Sequence, residues 1–160
     1  MDSVGWVTTA HADPQLHAVR YAFDAAFRRF REASDDDSWM AELSNMLHHL
    51  YRLRELCKTR LAGFEQQIEP QTPALKPERG ATWARNCDTH RLFRLPSTQL
   101  APVYAETYGA VYGELLWRPR IELPLAPDNH GRYLDYESEL DGKVIPDTLR
   151  RGFDAMAALL

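Results

Sequence analysis

Residues 39–64 read WMAELSNMLHHLYRLRELCKTRLAGF, and their apolar positions Trp39, Leu43, Met46, Leu47, Leu50, Leu53, Cys57, Leu61 and Phe64 recur at steps of three and four. Successive helical residues turn by about 100°, so these side chains share one face of an α-helix. No proline interrupts the stretch; one long helix is expected, capped by Asp37 or Ser38 and ending near Gln67. Upstream, Asp13-Pro14 supplies an N-cap followed by a proline suited to the first helical position. Leu16, Val19, Phe23, Ala26, Phe27 and Phe30 then repeat the same period. Only residues 34–38 separate the two stripes, a connection short enough to fold them back as an antiparallel helical hairpin. Each stripe needs covering by the rest of the chain, and the expected fold class is all-α.

Residues 69–80 contain Pro70, Pro73, Pro77 and Gly80 and read as a proline-rich crossover loop. Beyond it Ala81, Ala84 and Cys87 form a narrow stripe of small residues on a third helix, with Trp83, Leu92 and Phe93 widening the contact and Pro96 ending it. Residues 100–117 read as a further helix through Tyr104, Tyr108 and Tyr112, although 111–116 equally suit the start of a strand. Pro119, Pro124 and Pro127 mark an irregular insertion before the C-terminal helices. A short helix is expected around Tyr133 to Leu140, then a final one capped by Asp147 and carrying Leu149, Phe153, Met156 and Leu160. The 160 residues suit one domain, with residues 1–12 as a flexible N-terminal arm.

Composition narrows the class. Hydrophobic residues make up 44% and charged residues 26%, the balance of a globular protein, and no apolar run approaches the roughly 20 residues that span a bilayer. The first residues lack the basic and apolar regions of a secretory signal, and Cys57 and Cys87 form no disulfide framework; a reduced, cytoplasmic protein without membrane contact is expected. The net charge of −4 argues against a protein that coats nucleic acid non-specifically. Locally the balance inverts: Arg79, Arg85, Arg91 and Arg94, with His90, crowd a segment whose only acids are Glu78 and Asp88, a focused basic site on an acidic body.

Within that segment lies Arg85-Asn86-Cys87-Asp88-Thr89-His90. An arginine and histidine at this separation arise by chance roughly 0.6 times in a chain of this composition, but asparagine directly after the arginine lowers that to the order of 0.01. The pattern resembles the Arg-x(4–6)-His motif of the HEPN superfamily, often with a polar residue after the arginine, on a late helix of a compact bundle. The resemblance covers the hairpin, the motif helix and the C-terminal helices; the proline-rich loop and the 118–131 insertion depart from a minimal four-helix HEPN bundle. It implies a metal-independent endoribonuclease without a cofactor, of the kind found as toxins or effectors in bacterial toxin–antitoxin and antiphage systems. Arg85, His90 and Asn86 are then the catalytic residues, with Arg79, Arg91 and Arg94 holding substrate. The implied partners are RNA, a second copy of the chain, and a cognate antitoxin or regulatory protein.

The residue chemistry suits that role. RNA carries its own nucleophile, the 2′-hydroxyl, so cleavage needs proton transfer near neutral pH and a cation beside the phosphoryl oxygens. Histidine does the first and the guanidinium fork the second. Five helical steps set Arg85 and His90 roughly 140° apart, so either the helix is distorted or two copies of the motif meet across a symmetric interface, with the small-residue stripe allowing close approach. Taken without the resemblance, Arg85, Asp88 and Arg91 make i,i+3 pairs on a solvated face and His90 serves late helix carbonyls. Cys87 reads as a packed thiol. His48 and His49 are adjacent in sequence, which does not suit the i,i+4 spacing of a zinc pair, and no metal site is expected. Arg118, Arg120 and Arg132 read as a solvated loop or an extension of a phosphate track. A non-catalytic HEPN-type dimeric module binding RNA, nucleotide or a protein partner is the alternative that the same bundle serves.

Overall fold

The computed structural model describes residues 13–90, 115–123 and 131–160, with the side chains of 36, 87–90 and 122 outside the description. The described residues are predominantly helical: α1 (Pro14–Glu32), α2 (Asp36–Arg60), a π-helical turn (Phe64–Ile68), α3 (Glu69–Gln71), a 3-10 turn (Pro73–Leu75), α4 (Lys76–His90), a second 3-10 turn (Arg120–Glu122), α5 (Arg132–Glu139) and α6 (Ile145–Ala157). The expected arm over 1–12, the tyrosines at 104, 108 and 112, and Arg91 and Arg94 lie outside the described residues.

Helix α1 begins as its sequence dictates. The Asp13 carboxylate accepts from the Gln15 and Leu16 amides at 3.0 and 3.3 Å, satisfying donors that the first turn leaves open, and Pro14 takes the position where its missing N–H costs nothing. Its buried residues Val19, Phe23, Ala26 and Phe30 lie on the expected stripe. The cap of α2 falls two or three residues earlier than the expected Asp37 or Ser38: Asp35 accepts from the Ser38 amide at 2.8 Å and also from its hydroxyl, so Ser38 occupies the third position of the first turn. Buried Leu43, Met46, Leu47, Leu50, Leu53 and Cys57 then run along α2 against α1, forming the hairpin.

The structure departs from the expected loop over 69–80. Helix α2 stops at Arg60, short of Gln67, and Gly63 turns the chain with φ 73°, a left-handed backbone that costs glycine little. Three short helical turns and then α4 follow instead of irregular chain, because each proline stands at the first or second residue of a new helical segment: Pro70 in α3, Pro73 in the 3-10 turn and Pro77 in α4. Proline at such a position starts a turn rather than breaking one.

Helix α4 runs through the middle of the fold, contacting α2, α5 and α6. Gly80 lets α5 come close: a Cβ there would sit 2.9 Å from the backbone N and Cα of Tyr136. Gly152 of α6 does the same for the Glu78 backbone, also at 2.9 Å. The residues around these contacts, including Ala81, Trp83, Tyr136, Leu149, Phe153 and Met156, belong to one contiguous apolar core that reaches α1 through the stacked rings of Phe23 and Phe153, 4.0 Å apart. Each large side chain buried this way contributes about 1.5–3 kcal/mol relative to exposure.

Of the expected helix over 100–117, the described residues 115–117 are extended rather than helical. Leu116 bridges Val144 antiparallel, Trp117 donates its amide to the Lys143 carbonyl at 2.9 Å, and Ile145 donates to Leu115 at 2.9 Å. This pairing sets the start of α6 at Ile145, with Val144 rather than Asp147 as its cap residue. The Trp117 indole donates to the Thr148 hydroxyl at 2.6 Å, locking the bridge to α6. No helix among the described residues is long and apolar enough to cross a membrane.

Candidate functional site

Helix α4 is enclosed from Gly80 to Ala84 and becomes half-buried at Arg85 and Asn86. The guanidinium of Arg85 lies over the ring of Tyr51 on α2, 4.3 Å from its centre, a cation–π contact that ties the motif helix to the hairpin. His90 ends the same α-helix, so the motif backbone carries no break and Arg85 and His90 keep their angular separation of about 140°. The side chain of His90 lies outside the description, as do those of Cys87 and Asp88.

Arg79 is placed on α4 one turn before Trp83, with its Nε 3.0 Å from the Asp135 carboxylate of α5. Any phosphate at Arg79 competes with that carboxylate. Ala81 and Ala84, expected to admit a second chain closely, are buried within this chain at 1% and 8% exposure. Their small size serves packing inside the fold, and that part of the stripe is not a free surface. His49, on the hairpin, is held below the ordinary histidine range by burial and by the charges of His48, Arg52 and Arg29. Among the described residues no three His, Cys, Asp or Glu side chains converge as a metal-ligand set.

No protein-family model, curated protein or solved structure matches this chain. Its site is therefore read from its own geometry.

The most concentrated charge among the described residues was missed by sequence reasoning. Arg54, 2% exposed, reaches Glu69 through both terminal nitrogens, Glu65 at 2.8 Å and Glu78 at 3.4 Å. Glu78 is fully buried and accepts from the Thr82 hydroxyl at 2.7 Å, while Arg132 approaches Glu69 at 3.8 Å. Burial pushes the Glu78 carboxyl up and neighbouring Glu69 adds to this, against the opposing pull of Arg54, Thr82 and Arg132. The signal available in sequence was Arg54 itself, which stands at the i+4 position from Leu50 and i−3 from Cys57, inside the apolar stripe of α2. An arginine there needs buried carboxylates. The cluster joins α2, α3, α4 and α5 just below the motif and braces the segment that presents Arg85.

Proposed function

We propose that this chain is a metal-independent endoribonuclease of HEPN type whose site is built on the last turns of α4. The observations that support the reading are the single helix α4 carrying Arg85, Asn86 and His90, and its change from buried at residues 80–84 to half-buried at Arg85 and Asn86. In the proposed reaction the RNA 2′-oxygen attacks the adjacent phosphorus, and the bond from phosphorus to the 5′-oxygen breaks. His90 takes the 2′-hydroxyl proton or returns one to the leaving 5′-oxygen, Arg85 balances charge on the non-bridging oxygens, and Asn86 orients the phosphate by hydrogen bonding. The products are a 2′,3′-cyclic phosphate and a 5′-hydroxyl, with no metal step. Because Arg85 and His90 diverge around α4, two copies of the chain meeting at this end supply the pair to one phosphate, and a role as toxin or defence effector with a cognate inhibitor follows from the resemblance.

The test is total RNA incubated with purified wild type and His90→Ala in the presence of EDTA. Cleavage by the wild type alone, with cyclic phosphate ends, is the expected result. A requirement for magnesium or manganese, or products with 3′-hydroxyl and 5′-phosphate ends, would rule the mechanism out.

A further inference from the structure

A cleft of about 410 Å³ opens between the first turns of α1 and the second half of α2, within the size range of small-ligand sites. Ala18, Val19 and Leu56 give it apolar walls, Gln15 and Thr59 supply hydrogen-bonding groups, and Arg52 and Glu55 complete the lining. The cleft adjoins the motif. Tyr51, whose ring carries the Arg85 guanidinium 4.3 Å from its centre, is the residue before Arg52 and stands one helical turn before Glu55. Neighbouring Cα atoms are about 3.8 Å apart, so the ring that holds Arg85 and the root of Arg52 are adjacent points on one helix.

Charge divides the cleft into two parts. Arg52 is exposed and, among the described residues, no carboxylate pairs with it, whereas Arg29, Lys58 and Arg60 on the same hairpin each hold one. Glu55, held by Lys58 at 3.1 Å, places a negative charge on the lining and repels a phosphate from the interior. A phosphate therefore suits Arg52, and an uncharged group suits the space beyond it. A nucleobase has the flat apolar face and the polar edge that these walls and groups would meet. The Glu55 carboxylate accepts only, so it pairs with the exocyclic amine of cytosine or adenine and repels the carbonyl that uracil carries at that place.

We infer that this cleft holds an unpaired RNA nucleotide beside the cleaved phosphate, with its phosphate on Arg52 and its base inside, and that it selects bases bearing an exocyclic amine. That the ligand is RNA rests on the ribonuclease reading; the cleft, its charge pattern and its place next to Tyr51 and Arg85 are features of the fold. The strand then runs from the end of α4 across Tyr51 onto the hairpin, and base preference is set by a helix distant in sequence from the motif.

The probes are short fluorescein-labelled 2′-O-methyl oligocytidine and oligouridine, which lack the 2′ nucleophile and cannot be cleaved, titrated by anisotropy at several salt concentrations. The wild type should bind oligocytidine about ten-fold more tightly than oligouridine, the worth of one hydrogen bond to a charged acceptor. Equal binding of the two, or no binding of either, overturns the proposal, and this comparison needs no variant to fold. Ala18→Leu changes an exposed helical residue to another good helix former and fills the cleft without altering its charge; it should weaken oligocytidine about ten-fold and abolish the preference. Arg52→Gln should lower the salt slope by about 0.7, the loss of one phosphate contact to a single strand. Wild-type affinity in Ala18→Leu, or a wild-type slope in Arg52→Gln, also overturns it. Cytidine-selective, Ala18-sensitive binding without cleavage of natural RNA would sink the catalytic reading and leave the cleft standing; cleavage of natural RNA with both variants binding as wild type does would do the reverse.

Discussion

Replacing Arg54 by methionine removes the cation from a cluster whose acids stay in place. Glu69 and Glu78 are 3% and 0% exposed, and without Arg54 the remaining described partners are Arg132, 3.8 Å from Glu69, and the Thr82 hydroxyl, 2.7 Å from Glu78. Breaking a buried ion pair from one side costs about 3–5 kcal/mol, against a total stability of about 5–15 kcal/mol for an ordinary domain. At about 2–4 °C per kcal/mol the melting temperature should fall by roughly 10 °C. The loss should also depend on pH in a definite sense. Glu78 already has its folded-state pKa raised above the unfolded value, so its contribution to stability is fully present below that unfolded value and is lost as pH rises through the folded one. Removing Arg54 raises it further, and each added unit is worth about 1.4 kcal/mol. The deficit of Arg54→Met relative to wild type should therefore shrink between pH 7 and pH 5, as the variant takes up a proton on folding. Adding Glu78→Gln, which keeps a hydrogen-bonding partner for Thr82 but no charge, should recover part of the loss at pH 7. Urea denaturation of wild type, both single variants and the double variant at the two pH values measures all of this. A deficit below about 1 kcal/mol, or one that does not change with pH, would refute the assignment of the cluster as a buried charge network.

Gly152→Ala should destabilise the protein by about 1–3 kcal/mol despite the better helix propensity of alanine, because the new Cβ would lie 2.9 Å from the Glu78 backbone nitrogen, which cannot swing aside as a side chain can; a variant as stable as wild type in denaturant refutes the close α4–α6 approach. Cys57 is fully buried, and burial together with the Glu78 charge pushes its thiol up to about 12. In a Cys87→Ser background, a thiol reagent at pH 8 should therefore react only as fast as the protein unfolds, and rapid stoichiometric labelling of the native protein contradicts the packing. If Arg85 and His90 act across a two-fold interface, a heterodimer of Arg85→Ala with His90→Ala should cleave RNA where each single variant does not; a monomeric, fully active wild type in sedimentation and single-turnover assays would remove the need for that interface.

What the sequence determined by itself was local. The Asp13-Pro14 start and the stripes of α1 and α2 could be read directly because caps and helical periodicity act within a turn or two of chain. The same holds for the adjacency of Arg85, Asn86 and His90 on one helix. Where competing local signals stood close together the reading slipped by a residue or two, as with Asp35 against Asp37. The prolines of residues 69–80 were read as breakers, yet each begins a helical turn, a distinction that depends on where the preceding turn stops.

The tertiary structure decided the rest, because the partners are far apart along the chain. Ala81 and Ala84 looked like an open seam until α4 was placed among α2, α5 and α6. The strand-like pairing of Leu116 with Val144 depends on a hydrogen-bonding partner that no window around residue 116 contains. Arg54 finds acids 11, 15 and 24 residues away, and Arg120 meets Trp83 and Tyr133 only because one turn and two helices converge. Charge and aromatic contacts of this kind follow distance in space, and only the folded chain sets that distance.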